Sequence, residues 1–179
     1  MFKKAFAAAV IAVACLTAGA ATPAAAIPFN YEYRYPVTNN YNGRCLDAAW
    51  EHIGSNGTPV QLWDCYGPDS LNQQWVFHQV AYGSAYQIIN VASHRCLDAK
   101  LEGQGAQGSP VQLWQCYDSH PDNQIWFVYQ DGYGNYTIES KAYHRVLDAN
   151  LGYGGFNGTP VQLWDNLGSG QTNQRWRWL

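Results

Sequence analysis

The sequence predicts an all-β fold of twelve short strands with pseudo-threefold symmetry, and three observations support this prediction. One unit is written three times, because Pro-Val-Gln-Leu-Trp recurs at residues 59–63, 110–114 and 160–164. Stretches such as 60–63 alternate between apolar and polar or aromatic residues, as half-buried strands do. Turn signals such as Asn-Gly at 56–57 separate these stretches. One unit is too small to bury its apolar face alone, so the three must share a core.

The repeats fill nearly all of the chain after its N-terminal segment, at approximately residues 35–84, 85–134 and 135–179. Leu-Asp-Ala and Asn-Gln-x-Trp recur with the same offsets of 51 and 50 residues as the first motif. Strand-like stretches of the first copy fall at residues 35–39, 45–48, 60–63 and 74–78. Four strands in each of three copies suit a closed all-β architecture.

The composition limits the classes of partner. Charged residues make up 13% of the chain, about half of the usual 25% or so. The net charge of −3 argues against nucleic acid as the main partner, which normally requires a basic face. The five histidines show no metal-ligand spacing, and no phosphate-binding loop is present, so no metal or cofactor is expected.

Residues 1–26 are predicted to be a secretory signal peptide, which makes the protein secreted and leaves 27–179 as one domain. Lys3 and Lys4 precede an apolar run that is too short to span a membrane, and an Ala-x-Ala cleavage pattern ends at Ala26. Residues 18–20 offer a second cleavage site. Cys15 as a lipid-attachment site is the less favoured alternative, because Ala12 stands where a larger aliphatic residue is expected.

Four cysteines remain after the signal peptide, and their positions in the repeats predict two disulfides. Cys45 and Cys65 are 20 residues apart, as are Cys96 and Cys116, and the third copy lacks both cysteines. Joint presence and joint absence indicate bridges within a repeat, Cys45–Cys65 and Cys96–Cys116. A zinc site is the alternative, but no C-x₂-C pair exists and export favours oxidation.

Strand alternation divides the tryptophans into two groups. Val60 and Leu62 form a natural core pair, which leaves Gln61 and Trp63 on the outward side. By repetition, Trp114 and Trp164 also face outward, although packing under a neighbouring loop is an alternative. The tryptophans of Asn-Gln-x-Trp stand among apolar strand residues and are expected in the core; they are Trp75, Trp126 and Trp176.

An outward tryptophan beside a carboxylate and amides has the chemistry that sugar recognition needs. One face of a pyranose presents C–H groups to an aromatic ring, and Asp, Asn and Gln side chains complement the hydroxyls. We expect shallow sites of roughly millimolar affinity, about −4 kcal/mol. Three such sites on one polymer would raise the apparent affinity by about 10²–10⁴.

The threefold Cys-Leu-Asp, Gln-Leu-Trp and Asn-Gln-x-Trp motifs resemble the ricin-type lectin domain, also called the family 13 carbohydrate-binding module, over residues 35–179. The resemblance implies a β-trefoil fold and one sugar pocket per repeat. The first pocket would use Asp47, Gln61, Trp63, Asn72 and Gln73. The second would use Asp98, Gln112, Trp114, Asn123 and Gln124. The third would use Asp148, Gln162, Trp164, Asn173 and Gln174, without a disulfide to restrain its supporting loop.

The resemblance implies a monomeric, non-catalytic lectin for galactose-type sugars or xylan- and arabinan-like polysaccharides. An enzyme is disfavoured, because the repeated aspartates are one per copy while a glycosidase needs a carboxyl pair. The non-repeated acids are expected to be solvated loop charges; they are Glu51, Asp69, Glu102 and Asp131. A trefoil protease inhibitor would leave the threefold pocket motif unexplained. A targeting subunit for a separate toxin or hydrolase remains open. His94 and His144, which recur before an arginine, are expected to be structural.

Overall fold

The computed structural model describes residues 33–80 and 83–178, so the predicted signal peptide lies outside the described residues. The described chain is all-β, and its strands fall in the predicted places within a residue or two. The strands are β1 (Tyr35–Asn39), β2 (Cys45–Ala48), β3 (Thr58–Trp63), β4 (Gln74–Gln79), β5 (Ala85–Asn90), β6 (Cys96–Ala99), β7 (Val111–Trp114), β8 (Trp126–Gln130), β9 (Tyr136–Ser140), β10 (Val146–Ala149), β11 (Thr159–Trp164) and β12 (Trp176–Trp178).

Single turns of 3₁₀ helix stand at two equivalent places in each repeat. One follows the second strand of the repeat, and the other ends at or just before the start of the fourth strand. They span Trp50–His52, Leu71–Gln73, Leu101–Gly103, Asp122–Gln124, Leu151–Tyr153 and Thr172–Gln174. Within residues 33–80 and 83–178, no helix has the length and apolarity needed to cross a membrane.

The strands pair antiparallel in two groups. The first and fourth strands of the repeats close into a ring, in the order β1, β4, β5, β8, β9, β12 and back to β1. The hairpins β2–β3, β6–β7 and β10–β11 cover one end of this ring, where β3 pairs with both β7 and β11. A six-strand ring capped by three hairpins is the β-trefoil, as predicted.

The core repeats with the same threefold pattern. Leu46, Leu97 and Leu147 are completely buried, and each lies opposite a buried leucine on the facing strand. The predicted core tryptophans are also completely buried, and each indole Nε1 donates to the carbonyl of one of these leucines, at 2.9, 2.9 and 3.1 Å. Burial of the indole therefore leaves no polar atom of the ring without a partner. The three tryptophans are Trp75, Trp126 and Trp176.

An arginine in each repeat holds the turn that precedes the third strand of the neighbouring repeat. Arg95 donates to the Gly54 carbonyl and to Asn56 Oδ1. Arg44 makes the same contacts with Gly155 and Asn157, and Arg145 reaches the Gly105 carbonyl. These contacts link the first repeat to the third, the second to the first, and the third to the second. They join the repeats into a closed cycle.

The residue before each of these arginines adopts a left-handed backbone. Gly43 has φ +74°, and the equivalent His94 and His144 have φ +54° and +52°. Residues that carry a side chain rarely adopt this backbone conformation, which glycine adopts readily. The two histidines therefore occupy a turn position, which agrees with the structural role predicted for them.

Both predicted disulfides are present, Cys45–Cys65 and Cys96–Cys116. Each connects the start of the second strand to the residue two positions after the third-strand tryptophan. In the third repeat the same two positions are Val146, which is buried, and Asn166, which is exposed. There the Arg175 guanidinium lies 3.5 Å from Asn166 Oδ1, so a polar contact supports the loop that a disulfide restrains in the other two repeats.

Candidate functional site

The register of each capping hairpin places an aspartate directly opposite a glutamine. Asp47 pairs with Gln61 across β2 and β3. Asp98 pairs with Gln112, and Asp148 with Gln162, in the other two hairpins. Facing residues of an antiparallel pair have neighbouring side chains, so the two motifs Leu-Asp-Ala and Val-Gln-Leu-Trp build one site in each repeat.

Three amides hold each aspartate. In the first pocket, Asp47 Oδ1 accepts from Gln61 Nε2 at 3.0 Å, and Oδ2 accepts from Asn72 at 2.8 Å and Gln73 at 2.9 Å. The second and third pockets repeat this network within about 0.1 Å. The 3₁₀ turn before the fourth strand delivers the Asn-Gln pair, which explains why Asn-Gln-x-Trp accompanies Leu-Asp-Ala in the sequence.

The glutamine of each Asn-Gln pair positions the site from below and does not face the ligand space. Gln73 is 1% exposed, and its Nε2 donates to both Asp47 and the Asp64 carbonyl while its Oε1 accepts from the Tyr66 amide. Gln124 and Gln174 are fully buried in equivalent networks. Because these side chains are buried and hydrogen-bonded, they position the aspartates, and the direct sugar contact predicted for the three glutamines stays a prediction.

The outward tryptophans lie as strand alternation predicts. Trp63, Trp114 and Trp164 are partly exposed, while the adjacent leucines are completely buried. In the first pocket the Trp63 Nε1 donates to the Tyr66 hydroxyl at 3.0 Å, and Trp114 donates to Tyr117 at 3.3 Å in the second. The tyrosine therefore orients the ring edge and leaves the ring face for a ligand.

The first and second sites open into sizeable cavities. The first has a volume of about 600 Å³ and the second about 510 Å³. The first cavity contains Asp47, Gln61, Trp63 and Asn72 of the predicted pocket. The second contains the equivalent Asp98, Gln112, Trp114 and Asn123. Both volumes fall in the range of about 300–1,000 Å³ that is usual for small-molecule sites.

The amides and carboxylate of the first two pockets keep hydrogen-bonding capacity for a ligand. Each carboxylate oxygen can accept two hydrogen bonds, and Asp47 Oδ1 receives one from Gln61. Among the described residues, no group donates to the Oε1 of Gln61 or Gln112. These oxygens, beside an aromatic face, can accept from the hydroxyls of one sugar ring.

The third pocket has the same hydrogen-bond network around its aspartate, but the residues that surround this network differ. Asn150 Nδ2 donates to Gln162 Oε1 at 2.9 Å, so the acceptor that is open in the first two pockets is occupied. The equivalents of Asn150 are Ala49 and Lys100. Leu167 replaces the tyrosine that holds the tryptophan edge in the other pockets. The same five-residue motif therefore stands in a different environment.

Burial raises the pKa of each pocket aspartate above the ordinary value of 3.8, and hydrogen bonds from the three amides only partly offset it. Glu51 raises the pKa of Asp47 further, and Glu102 does the same for Asp98. Among the described residues, no cluster of three or more His, Cys, Asp or Glu side chains could hold a metal ion.

Several cavity residues were not predicted. Tyr66 and Tyr117 directly follow Cys65 and Cys116, so the repeated Cys-Tyr pair was the available signal. Three acids predicted to be solvated loop charges line the cavities: Glu51 and Asp69 at the first, and Glu102 at the second.

The fourth such acid, Asp131, organises a turn. It accepts hydrogen bonds from the Tyr133 and Asn135 amides at 2.8 and 2.9 Å. Although slight burial acts in the opposite direction, these hydrogen bonds lower the pKa of Asp131. Asp131 therefore stays a charged loop residue and in addition organises its turn.

Comparisons with known proteins agree with this architecture. Residues 33–176 match the model of the ricin-type beta-trefoil lectin domain. The fold is similar to the designed threefold symmetric protein ThreeFoil, with 25% identity, a TM-score of 0.72, and coverage of 82% of this chain and 97% of that one. A search of curated proteins by sequence finds no match.

Two natural proteins share the fold. An exo-beta-1,3-galactanase from Clostridium thermocellum is 28% identical with a TM-score of 0.72; the match covers 83% of this chain and only 30% of that longer one. The ricin B-like lectin of Macrolepiota procera, solved with lactose, is 23% identical with a TM-score of 0.66 and coverage of 83% and 96%. With the family model matched over residues 33–176 and the threefold site in place, this chain belongs to the ricin-type β-trefoil lectin domain family.

Proposed function

We propose that this protein is a secreted, non-catalytic and monomeric sugar-binding protein that uses its repeats as separate sites. The observation that carries the proposal is the aspartate held by three amides beside a half-exposed tryptophan, which recurs in every repeat. The carboxylate and amide oxygens accept from sugar hydroxyls, and the tryptophan face covers the C–H side of the ring. The ligands that we propose are galactose-type sugars or xylan- and arabinan-like polysaccharides.

The first and second pockets supply most of the affinity. Both have an open glutamine acceptor, a tyrosine that holds the tryptophan edge and a disulfide that restrains the loop behind it. The third pocket lacks all three features, so we propose that it binds more weakly. The absence of a disulfide behind this pocket was already evident from the sequence.

The first experiment is a glycan array combined with a pull-down on insoluble polysaccharides, with the triple variant Trp63→Ala/Trp114→Ala/Trp164→Ala as the matched control. We expect the natural chain to bind galactose-, xylose- or arabinose-containing ligands and the triple variant to lose this binding. If the natural chain binds no such ligand, the proposal fails.

A second experiment tests the difference between the pockets. Asn150→Ala gives the third pocket the residue that the first pocket has at Ala49 and frees Gln162 Oε1. In a Trp63→Ala/Trp114→Ala background, we expect this change to strengthen monosaccharide binding by the third pocket. Unchanged or weaker binding would show that the occupied glutamine does not limit this site.

A targeting role for a separate enzyme or toxin is the second candidate. The galactanase match supports it, because this chain aligns with only 30% of that protein, which carries other segments beside the shared fold. Binding to a polysaccharide without release of sugars, together with recovery of a hydrolase from the same culture medium on that polysaccharide, would support this role. A protease-inhibition assay addresses the remaining alternative, a trefoil inhibitor.

A further inference from the structure

Trp50 is a large aromatic side chain that the pocket motif leaves unexplained. It begins the 3₁₀ turn Trp50–His52, two residues after the end of β2, and 62% of its surface is exposed. The equivalent residues of the other repeats are leucines, Leu101 and Leu151. An exposed tryptophan that the other two repeats lack is a feature of the first repeat alone, and the shared fold does not require it.

The position of Trp50 relates it to the first pocket. Along the β2–β3 hairpin, the Asp47–Gln61 pair lies between Trp63 on one side and Trp50 on the other, because Trp63 pairs with Cys45 while Trp50 follows Ala48 and Ala49. Both tryptophans nevertheless line the same cavity. The hydrogen-bonding floor of the pocket therefore has an aromatic side chain at each end.

The cavity is larger than one sugar ring needs. Even at the roughly 30 Å³ that a water molecule takes in the liquid, a hexose of twelve non-hydrogen atoms would fill only about 360 Å³. The first cavity has about 600 Å³ and the second about 510 Å³, so both have room beyond one ring and volume does not distinguish them. The difference lies in the wall of that space, which is the indole of Trp50 in the first cavity and the leucine Leu101 in the second.

The charges around the first cavity determine which kind of sugar the space beside Trp50 favours. Glu51 and Asp69 are both exposed and both line the cavity. Two carboxylates in addition to Asp47 repel an acidic sugar. The space beside Trp50 is therefore suited to an uncharged pyranose whose C–H face lies on the indole.

We propose that Trp50 forms a second sugar subsite, so that the first pocket binds two linked neutral pyranoses while the second pocket binds one. The inference rests on the proposed sugar-binding function and deepens it. The aspartate, amides and Trp63 hold the first ring, and Trp50 stacks on the second. The first pocket consequently prefers a disaccharide to a monosaccharide, and the preference depends on one side chain.

The test uses the residue that nature places in the other repeats. In a Trp114→Ala/Trp164→Ala background, where only the first pocket binds, Trp50→Leu is compared with the parent by titration calorimetry. The probes are galactose against β-1,4-galactobiose and xylose against xylobiose. The parent should recognise one of these two sugar types. For that type, we expect the disaccharide to bind about three- to tenfold more tightly than the monosaccharide, which is the gain in affinity that one aromatic contact gives. Trp50→Leu should lose this preference and keep its affinity for the monosaccharide.

The reciprocal variant serves as the gain-of-function control. Leu101→Trp in a Trp63→Ala/Trp164→Ala background should give the second pocket a disaccharide preference that it otherwise lacks. The subsite is overturned if Trp50→Leu leaves the preference unchanged, or if it weakens both probes equally and so places Trp50 in the primary pocket. If the parent binds no probe of either kind, the proposed function itself fails, and this result is distinct from a lost preference.

Discussion

At the scale of single residues, the fold uses tryptophan in three different environments. Trp75 is completely buried with its Nε1 bonded to the Leu46 carbonyl, Trp63 is half exposed with its Nε1 on Tyr66, and Trp50 is mostly exposed. Burial and hydrogen bonding, and not residue type, decide whether the ring stabilises the core or is free for a ligand. The two repeated classes should respond differently to truncation.

We expect Trp75→Ala to lower the free energy of unfolding by about 3–5 kcal/mol, because it leaves a large cavity and an unpaired carbonyl. Trp63→Ala should lower it by only about 1–2 kcal/mol, since the ring is partly exposed, and should remove sugar binding by the first pocket. Chemical denaturation and calorimetric titration of both variants test this pair. Unfolding of Trp63→Ala would mean that the outward rings are part of the core.

The raised pKa values of the pocket aspartates predict that sugar binding is lost at an acidic pH at which the protein stays folded. Because burial raises their pKa values above 3.8, these carboxylates are protonated at a pH where ordinary carboxylates remain charged. Protonation removes acceptor capacity, so sugar affinity should fall with a midpoint above 3.8. A raised pKa contributes stability at low pH that is lost as pH rises through the folded-state pKa, so protonation of these groups does not unfold the protein.

Carboxylates with lowered pKa values behave in the opposite way. Hydrogen bonds from Arg145 and Gln107 lower the pKa of Asp165, and those of its own turn lower the pKa of Asp131. Both carboxylates contribute stability above pH 3.8 that is lost only as pH falls through their lower folded-state pKa values. Sugar binding should therefore disappear at a higher pH than the folded structure. Parallel pH titrations of binding and of circular dichroism test the order of the two transitions, and their coincidence would contradict it.

At the scale of structural elements, the hairpin and the turn behind it form the unit that carries a site. The hairpin register joins aspartate to glutamine, the 3₁₀ turn supplies asparagine, and the disulfide fixes the segment that bears the tyrosine. The asparagines of two Asn-Gly-Thr sequences, Asn56 and Asn157, accept hydrogen bonds from Arg95 and Arg44 of neighbouring repeats. These side chains therefore help to hold the repeats together.

The third hairpin offers a direct test of the disulfide's contribution. Val146 lies opposite Trp164 just as Cys45 lies opposite Trp63, so Val146→Cys/Asn166→Cys should form a third bridge. A loop of this size is worth up to about 3 kcal/mol in the chain-entropy model. Denaturation of the oxidised double variant beside the oxidised natural chain measures the gain, because a reductant would also open the two natural disulfides. Equal stability of the two proteins would show that the bridge does not stabilise this repeat.

At the scale of the whole molecule, the closed ring and its three hairpins distribute the pockets around one axis. Each hairpin carries its own site, while the core and the arginine contacts belong to all three repeats. Loss of one pocket therefore leaves the scaffold intact. Sites on separate repeats of one rigid body can engage different sugars of a single polymer, which increases the apparent affinity.

We expect stepwise loss of polysaccharide binding as Trp63, Trp114 and Trp164 are changed to alanine one after another. The first two changes should each weaken retention on an insoluble polysaccharide by more than the third, because the third pocket has an occupied glutamine and no tyrosine. Retention of the three single variants, the three double variants and the triple variant, each relative to the natural chain, measures these steps. Equal losses for all three pockets would contradict the proposed ranking.

The amino-acid sequence alone predicts the all-β class, the threefold repeat, both disulfides and the division of the repeated tryptophans into buried and outward sets. These properties follow from local patterns, since strand alternation and repeat spacing are written along the chain. It also identified the aspartate, amide and tryptophan motifs. Repetition made each of these patterns readable three times.

The burial and hydrogen-bond partners of each polar side chain, in contrast, depend on the tertiary structure. Gln73 belongs to the same motif as Asn72, yet its side chain is buried and fully bonded below the pocket. Sequence patterns likewise could not predict that Asn150 donates a hydrogen bond to Gln162 or that Trp50 lines the first cavity. Spacing specifies which residues recur, but hydrogen bonds and shared cavities depend on distances between segments that only folding brings together.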